Sequence, residues 1–214
     1  MNGTIVDDMA FHNRIWIEIW AELGHPITAE EQDRRFTGMT NAQTLREVLG
    51  EGITPEEIAR LTRRKELAYQ AAYREHMEPV AGLMDLLAAM REAGVPVAVA
   101  TSANRSNIEF TLGGLGLWEW VTAVVGADDV THGKPHPEIF LTAAATMGVS
   151  PENCLVFEDA LMGFEAARRA NMDAYAILTT LAEAKALALP NVVGAAPDFR
   201  TVSTSMFLRQ GGNI

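Results

Sequence analysis

Residues 95–104 read Val95-Pro96-Val97-Ala98-Val99-Ala100-Thr101-Ser102-Ala103-Asn104. A compact, β-branched apolar run stops abruptly at two hydroxyl residues. A run this short and this continuous reads as a strand buried on both faces, not as an amphipathic helix. The same grammar extends outward from it. Upstream, a helix is predicted over about 82–93, stopped by Gly94, and downstream a helix runs to near Gly116. Next come a strand at 122–126, a helix over 137–147 closed by Gly148, and a buried strand at 154–157. A helix over about 161–170, capped by Asn171, then leads to a strand at 174–178 and an edge strand at 192–195. Continuous apolar strands alternating with helices specify an α/β fold built on a doubly wound parallel sheet.

Between 9 and 78 the pattern is different. Phe11, Ile15, Ile19 and Leu23 recur at helical spacing, and Trp16 and Trp20 widen that face, which reads as packing. Thr28-Ala29-Glu30-Glu31 and Thr54-Pro55-Glu56-Glu57 match capping boxes, the second with proline at the first helical position. No strand is read here. The expected organisation is an α/β core from residues 1–8 and 79–214, with 9–78 inserted as a helical unit.

The 214 residues are 48% hydrophobic and 21% charged, enough for one sizeable core and a smaller unit. Residues 1–25 lack the basic and apolar regions of an export signal, and no apolar stretch reads as a membrane span. The single cysteine, Cys154, lies in an apolar run and reads as a small core residue, so a reducing cytoplasm is the expected compartment. A net charge of −11 argues against nucleic acid as a partner but not against a small phosphorylated metabolite. The polar tail ending at Ile214 is expected to fray, and the chain is expected to be a monomer or weak dimer.

In open α/β sheets ligands bind beyond the carboxyl ends of the strands. Those ends deliver Thr101, Ser102, Ala103 and Asn104, then Asp128-Asp129 leading to His132-Gly133-Lys134-Pro135, then Glu158-Asp159. Met1-Asn2-Gly3-Thr4 has the look of a turn that follows a strand, although no strand precedes it. Singly, each has an ordinary reading. Thr101-Ser102 would cap a helix, and Glu158-Asp159 would suit a helix dipole. His132 and His136 flank Lys134 at a spacing that suggests a metal, but with no cysteine or third histidine nearby they read as ordinary loop residues. Together, a hydroxyl, a lysine and a carboxylate pair at successive strand ends are the groups that bind a phosphoryl oxygen, neutralise charge and hold Mg²⁺.

Four ordered segments carry a resemblance to the haloacid dehalogenase superfamily, in its β-phosphoglucomutase-like branch. Met1-Asn2-Gly3-Thr4-Ile5-Val6-Asp7 resembles its Asp-x-Asp-Gly-Thr motif, and Val97-Ala98-Val99-Ala100-Thr101 its strand ending in a hydroxyl. Gly133-Lys134-Pro135 resembles its lysine loop, and Val156-Phe157-Glu158-Asp159-Ala160-Leu161-Met162-Gly163 its acidic motif. The resemblance implies that 9–78 is a helical cap hinged at Val6–His12. It implies attack on phosphorus by the first Asp of motif one to give an aspartyl-phosphate. It places Asn2, Thr101 and Lys134 at catalytic positions, and Gly3, Thr4, His12, Ser102, Ala103 and Asn104 at substrate. It assigns Mg²⁺ to Asn2, through its carbonyl, and to Glu158 and Asp159.

Departures from the pattern sharpen the expectation. The nucleophile position and its strand fall ahead of Met1, so the recorded start is expected to lie downstream of the real one, with the chain as written inactive and short of its central strand. Asn2 stands where the family has an acid/base carboxyl, and a carboxamide does not carry protons. Thr37-Gly38-Met39-Thr40-Asn41 lacks the basic residues of the sugar-phosphate mutases. The expected activity is therefore a Mg²⁺-dependent phosphatase acting on a small phosphate monoester. The alternatives are a non-catalytic phosphometabolite-binding protein and a phosphomutase or phosphonatase on the same scaffold.

Overall fold

The computed structural model describes residues 1–203, so the expected fraying of the tail falls outside the described residues. Helices α1 (Met9–Glu22), α2 (Ala29–Phe36), α3 (Asn41–Leu49) and α4 (Pro55–Tyr73) come first. Strands and helices then alternate: α5 (Leu83–Glu92), β1 (Ala98–Ala100), α6 (Arg105–Gly114), β2 (Ala123–Val125), α7 (Glu138–Met147) and β3 (Leu155–Glu158). The chain continues through α8 (Leu161–Arg169), β4 (Asp173–Ile177), α9 (Glu183–Leu187) and β5 (Val192–Ala196).

All pairing between these strands is parallel. β1 lies on β2, with Ala98 opposite Ala123, and β4 lies between β3 and β5, with Phe157 opposite Tyr175. Alternate residues along each strand face opposite layers of helix. Val99, Tyr175 and Ile177, with Leu155 and Phe157, join the cluster formed with α5 and α6. Val125, Val156, Ala174 and Ala176 join the cluster formed with α7, α8 and α9. Both faces are therefore covered, which is why the strands read as continuous apolar runs. Strand β1 is shorter than the 95–100 expected, since Pro96 has no N–H to give to a ladder. Asn171 closes α8 from the left-handed region, with φ of 57°.

Among the described residues the sheet comes in two pieces, β1-β2 and β3-β4-β5. Met1 shares an apolar cluster with Val99 of β1 and Leu155 and Phe157 of β3. Its carbonyl accepts from the N–H groups of Thr4, Ile5 and Val6 at 3.2, 2.6 and 3.3 Å, winding the first residues into a tight turn above the strand ends.

Helices α1 to α4 enclose a cluster of their own. Ile15, Trp16, Ile19 and Trp20 of α1 pack with Leu45 of α3 and Leu61 of α4. The Trp16 and Trp20 rings stack at 4.6 Å, and the Trp20 indole donates to Gln32 Oε1 at 2.9 Å. The tryptophans are thus core residues, as their spacing suggests. Thr28 caps α2 by accepting from the Glu31 N–H, and Thr54 and Glu57 form a full capping box at α4. A second full box, Thr40 with Gln43, opens α3. Among the described residues no helix is long and apolar enough to cross a membrane.

Candidate active site

The strand ends and the turn at Asn2 converge on one cavity of about 100 Å³, roofed by residues of α1 to α4. Thr101 follows β1. Its N–H donates to the Val125 carbonyl at 2.9 Å, and its hydroxyl accepts from the Ala103 N–H at 3.1 Å. Lys134 reaches in from the loop before α7, and its Nζ lies 2.7 Å from Glu158 Oε2. Glu158 ends β3, and its other oxygen accepts from the N–H groups of Asp159 and Ala160 at 3.1 and 3.2 Å. Burial raises the Glu158 carboxyl most, but the nearby positive charge, Lys134 foremost, together with the hydrogen bonds it accepts holds it below the ordinary range. The carboxylate needs Gly163 behind it, where a Cβ would come within 2.1 Å of Oε2.

Asp159 is in a different electrostatic position. Its oxygens accept from two hydroxyls, Thr4 Oγ1 at 3.0 Å and Thr180 Oγ1 at 2.6 Å. Burial, and then the neighbouring Glu158 charge, push its carboxyl up to about 7. It packs against Gly3, which has φ of 72° and where a Cβ would lie 2.1 Å from Asp159 Oδ2. A side chain at position 3 would therefore be strained and would displace the carboxylate.

Beside it runs a buried polar chain. Asn2 Nδ2 donates to Asp8 Oδ2 at 2.5 Å and lies 2.9 Å from His12 Nε2. Asp8 also accepts from the Tyr69 hydroxyl at 2.5 Å and from the Gly3 N–H at 3.3 Å. Lys65 Nζ lies 2.5 Å from His12 Nδ1 and 3.1 Å from Glu66 Oε1, and the Glu66 carboxylate accepts from the side chains of Asn41 and Asn107. Lys65 Nζ faces His12 Nδ1, while His12 Nε2 lies 2.9 Å from the Asn2 amide nitrogen and 3.3 Å from Asp8 Oδ2. Burial, then the Lys65 charge, lower the imidazole below its ordinary value. Burial would raise Asp8, but hydrogen bonds from His12 foremost, then Tyr69 and Asn2, hold it below the ordinary range.

Asn2, His12, Thr101, Ser102, Ala103, Lys134, Glu158 and Asp159 all line the cavity. Gly3 and Thr4 stand behind Asp159 instead, and the Gly3 carbonyl accepts from Thr179 Oγ1. Asn104 is spent as the N-cap of α6, accepting from the Asn107 N–H at 3.1 Å, so it, rather than Thr101-Ser102, caps that helix. Ser102 Oγ donates to the Gly38 carbonyl at 3.0 Å, joining the strand end to the helices above it.

Asp8, Lys65, Glu66 and Asn107 were not anticipated from the sequence. Lys65 and Glu66 stand in the charged run Arg63-Arg64-Lys65-Glu66, which resembles a solvated face. One signal was present: Leu61, Lys65, Tyr69 and Tyr73 fall at four-residue spacing and are all buried, so Lys65 sits on the apolar stripe of α4.

Fold and strand-end site together are those of an α/β protein of the haloacid dehalogenase type. The haloacid dehalogenase-like hydrolase model matches residues 1–177, and this chain belongs to that family. It is 36% identical over 176 residues to the fructose-1-phosphate phosphatase YqaB of Escherichia coli (strain K12), covering 81% of this chain and 91% of that one. It also superposes on a family IA, variant 3 hydrolase from Entamoeba histolytica, with TM-score 0.87, 25% identity and coverage of 97% and 95%. A β-phosphoglucomutase from Clostridium difficile shares the fold at TM-score 0.83 and 22% identity, with coverage of 96% and 91%.

Proposed function

We propose that this protein is a phosphatase for a small phosphate monoester, working through an aspartyl-phosphate with Mg²⁺ as cofactor. The observation that carries the reading is the pairing of Lys134 with Glu158 beside a buried Asp159 that accepts from the Thr4 and Thr180 hydroxyls. An all-oxygen donor with a raised carboxyl suits a hard divalent cation. Asp159 and the Asn2 carbonyl would hold Mg²⁺, whereas the bonds that Glu158 already makes fit it to positioning Lys134. When bound, the ion neutralises charge that develops on the phosphoryl oxygens.

Thr101 and Lys134 would receive the phosphoryl group, the first as hydrogen-bond donor and the second as point charge. The attacking carboxylate would, on the family pattern, be the first Asp of motif one, which Met1-Asn2-Gly3-Thr4 does not include. Asn2 cannot move a proton, so that task falls to the adjacent His12 and Asp8. Asn41, Glu66 and Asn107 offer hydrogen bonds to a hydroxyl-bearing carbon chain, while the Glu66 carboxylate disfavours a second anionic group on the substrate. That suits the sugar monophosphate for which the Escherichia coli relative is named. Residues 9–78 would act as a cap that opens to admit substrate, breaking such contacts as Gln43 Nε2 to the Lys134 carbonyl at 3.4 Å.

The test is phosphate release from a panel of sugar and polyol monophosphates, with Mg²⁺ or with chelator. The protein used carries the apolar segment and aspartate that the motif requires ahead of Met1. Hydrolysis that needs Mg²⁺ and is lost in Asp159→Asn and Lys134→Ala is expected. Tight binding of these esters with no turnover would move the reading to a binding protein.

A further inference from the structure

The loop that carries Lys134 gathers a second group of metal-ligating side chains outside the cavity. His132, His136 and Glu138 each offer one donor atom, and these lie within 4.8 Å of one another. Glu138 Oε2 is 3.0 Å from His132 Nδ1 and 3.8 Å from His136 Nδ1, and the imidazole rings are 4.5 Å apart. A tetrahedral ion with bonds of about 2.0–2.1 Å holds its donors about 3.3–3.4 Å apart. These two separations fall on either side of that value, and His136 Nδ1 also accepts from the Glu138 N–H at 3.3 Å, a bond that the ion would replace.

The carboxylate is already fixed. It accepts from the N–H groups of Thr131 and His132 at 2.9 Å each, and these backbone bonds hold Glu138 in its charged form. Both histidine side chains are exposed, at 62% and 48%, which gives a solvated ion a way in. None of the three lines the cavity. The sequence alone argued against a metal here because no third histidine or cysteine is near. The first turn of α7 supplies the missing ligand as Glu138.

We propose that His132, His136 and Glu138 form a three-ligand site for a borderline transition-metal ion, Zn²⁺ above others, with water in the fourth position. Two imidazoles and a carboxylate suit Zn²⁺, whereas the all-oxygen surroundings of Asp159 suit Mg²⁺, so the two sites sort metals by ligand type. The ion would tie residue 132 to residue 138 across Gly133-Lys134-Pro135. It would thereby brace the segment that sets Lys134 against Glu158.

The test is zinc titration of the metal-free protein against a chromophoric chelator, in excess Mg²⁺. One Zn²⁺ per chain is expected, with unchanged affinity in Asp159→Asn. His132→Gln and His136→Gln should each weaken it by more than the roughly 10- to 100-fold that losing an outer-shell partner costs. Co²⁺ should give the visible bands of a tetrahedral site, absent from both histidine variants. Circular dichroism of these exposed-loop variants should match the parent. No bound zinc, zinc held equally by parent and histidine variants, or zinc lost in Asp159→Asn would each overturn the proposal.

Discussion

Lys65 Nζ and His12 Nδ1 lie 2.5 Å apart, and both residues are buried. Two bases so close cannot both be comfortably charged, and the imidazole yields. Burial and the Lys65 charge lower its pKa below the ordinary 6.5; burial lowers the Lys65 ammonium too, with the Glu66 carboxylate opposing that shift.

The pH consequence follows from linkage. A histidine kept neutral when folded binds its proton more readily when unfolded, so its contribution to stability is present above pH 6.5 and is lost as pH falls toward the lowered folded value. Asp159 works the other way in the metal-free protein. Its raised carboxyl, at about 7 against 3.8, costs stability as pH rises between those values. Comparing the parent with His12→Gln separates the two. The gap in Tm between them should narrow from about pH 7.5 to about pH 5.5. A gap that widens on acidification would show that His12 is charged in the fold.

Asp159→Asn removes a buried charge that accepts from the Thr4 and Thr180 hydroxyls. Metal-free protein at about pH 8 should gain Tm, since each kcal/mol is worth about 2–4 °C at this chain length. The same variant should lose the rise in Tm that Mg²⁺ gives the parent, which at a hundred times Kd amounts to about 2.7 kcal/mol. His132→Gln should keep that rise. Thermal scans of the three proteins with and without Mg²⁺ decide it. A magnesium response that survives in Asp159→Asn would place the ion elsewhere.

Gly163→Ala puts a methyl against the Glu158 carboxylate, at 2.1 Å from Oε2. The carboxylate must move, and Lys134 loses the partner that positions it. A loss of about 1–3 kcal/mol is expected by urea unfolding, as for other overpacked sites. Phosphate affinity should fall with it. Gly52→Ala makes the control, because like Gly163 it has no positive φ, and nothing lies within 4 Å of its added Cβ.

The strand-end residues were legible because a buried parallel strand announces itself as an unbroken apolar run, and the residue that ends the run must lie at the carboxyl edge. Thr101, Lys134, Glu158 and Asp159 were found in this way and do meet around one cavity. Asn104 was placed at the cavity because it sits beside Thr101 in sequence, yet Asn is a strong helix cap and the backbone of α6 claims its side chain. The Asp8–His12–Lys65–Glu66 chain was hidden for another reason. Its members come from the turn, α1 and α4, and only packing of separate helices makes them neighbours. Glu138 was missed as a ligand for the same reason: it belongs by sequence to a helix start, and the fold of the preceding loop turns two imidazoles toward it.

The contact between Asn2 and Asp8 changes what a carboxyl at position 2 would do. Asn2 Nδ2 donates to Asp8 Oδ2 at 2.5 Å, so Asn2→Asp alone sets two carboxylates against each other and they would share a proton. The single variant should lose stability, whereas Asn2→Asp with Asp8→Asn restores one donor facing one acceptor. In protein carrying the aspartate ahead of Met1, the double variant supplies a proton carrier of the family type. Acid–base catalysis is worth roughly 10²–10⁴-fold, and it matters most when the leaving group is a poor one. Turnover of an alkyl phosphate should therefore rise more than turnover of nitrophenyl phosphate, whose leaving group departs without a proton. His12→Gln in the parent should show the mirror image, slowing the alkyl ester more than the aryl one. The measurement is the ratio of variant to parent kcat for each ester. Equal ratios for the two esters in His12→Gln would show that His12 moves no proton, and equal ratios in the double variant would show that position 2 has no acid–base task in this protein.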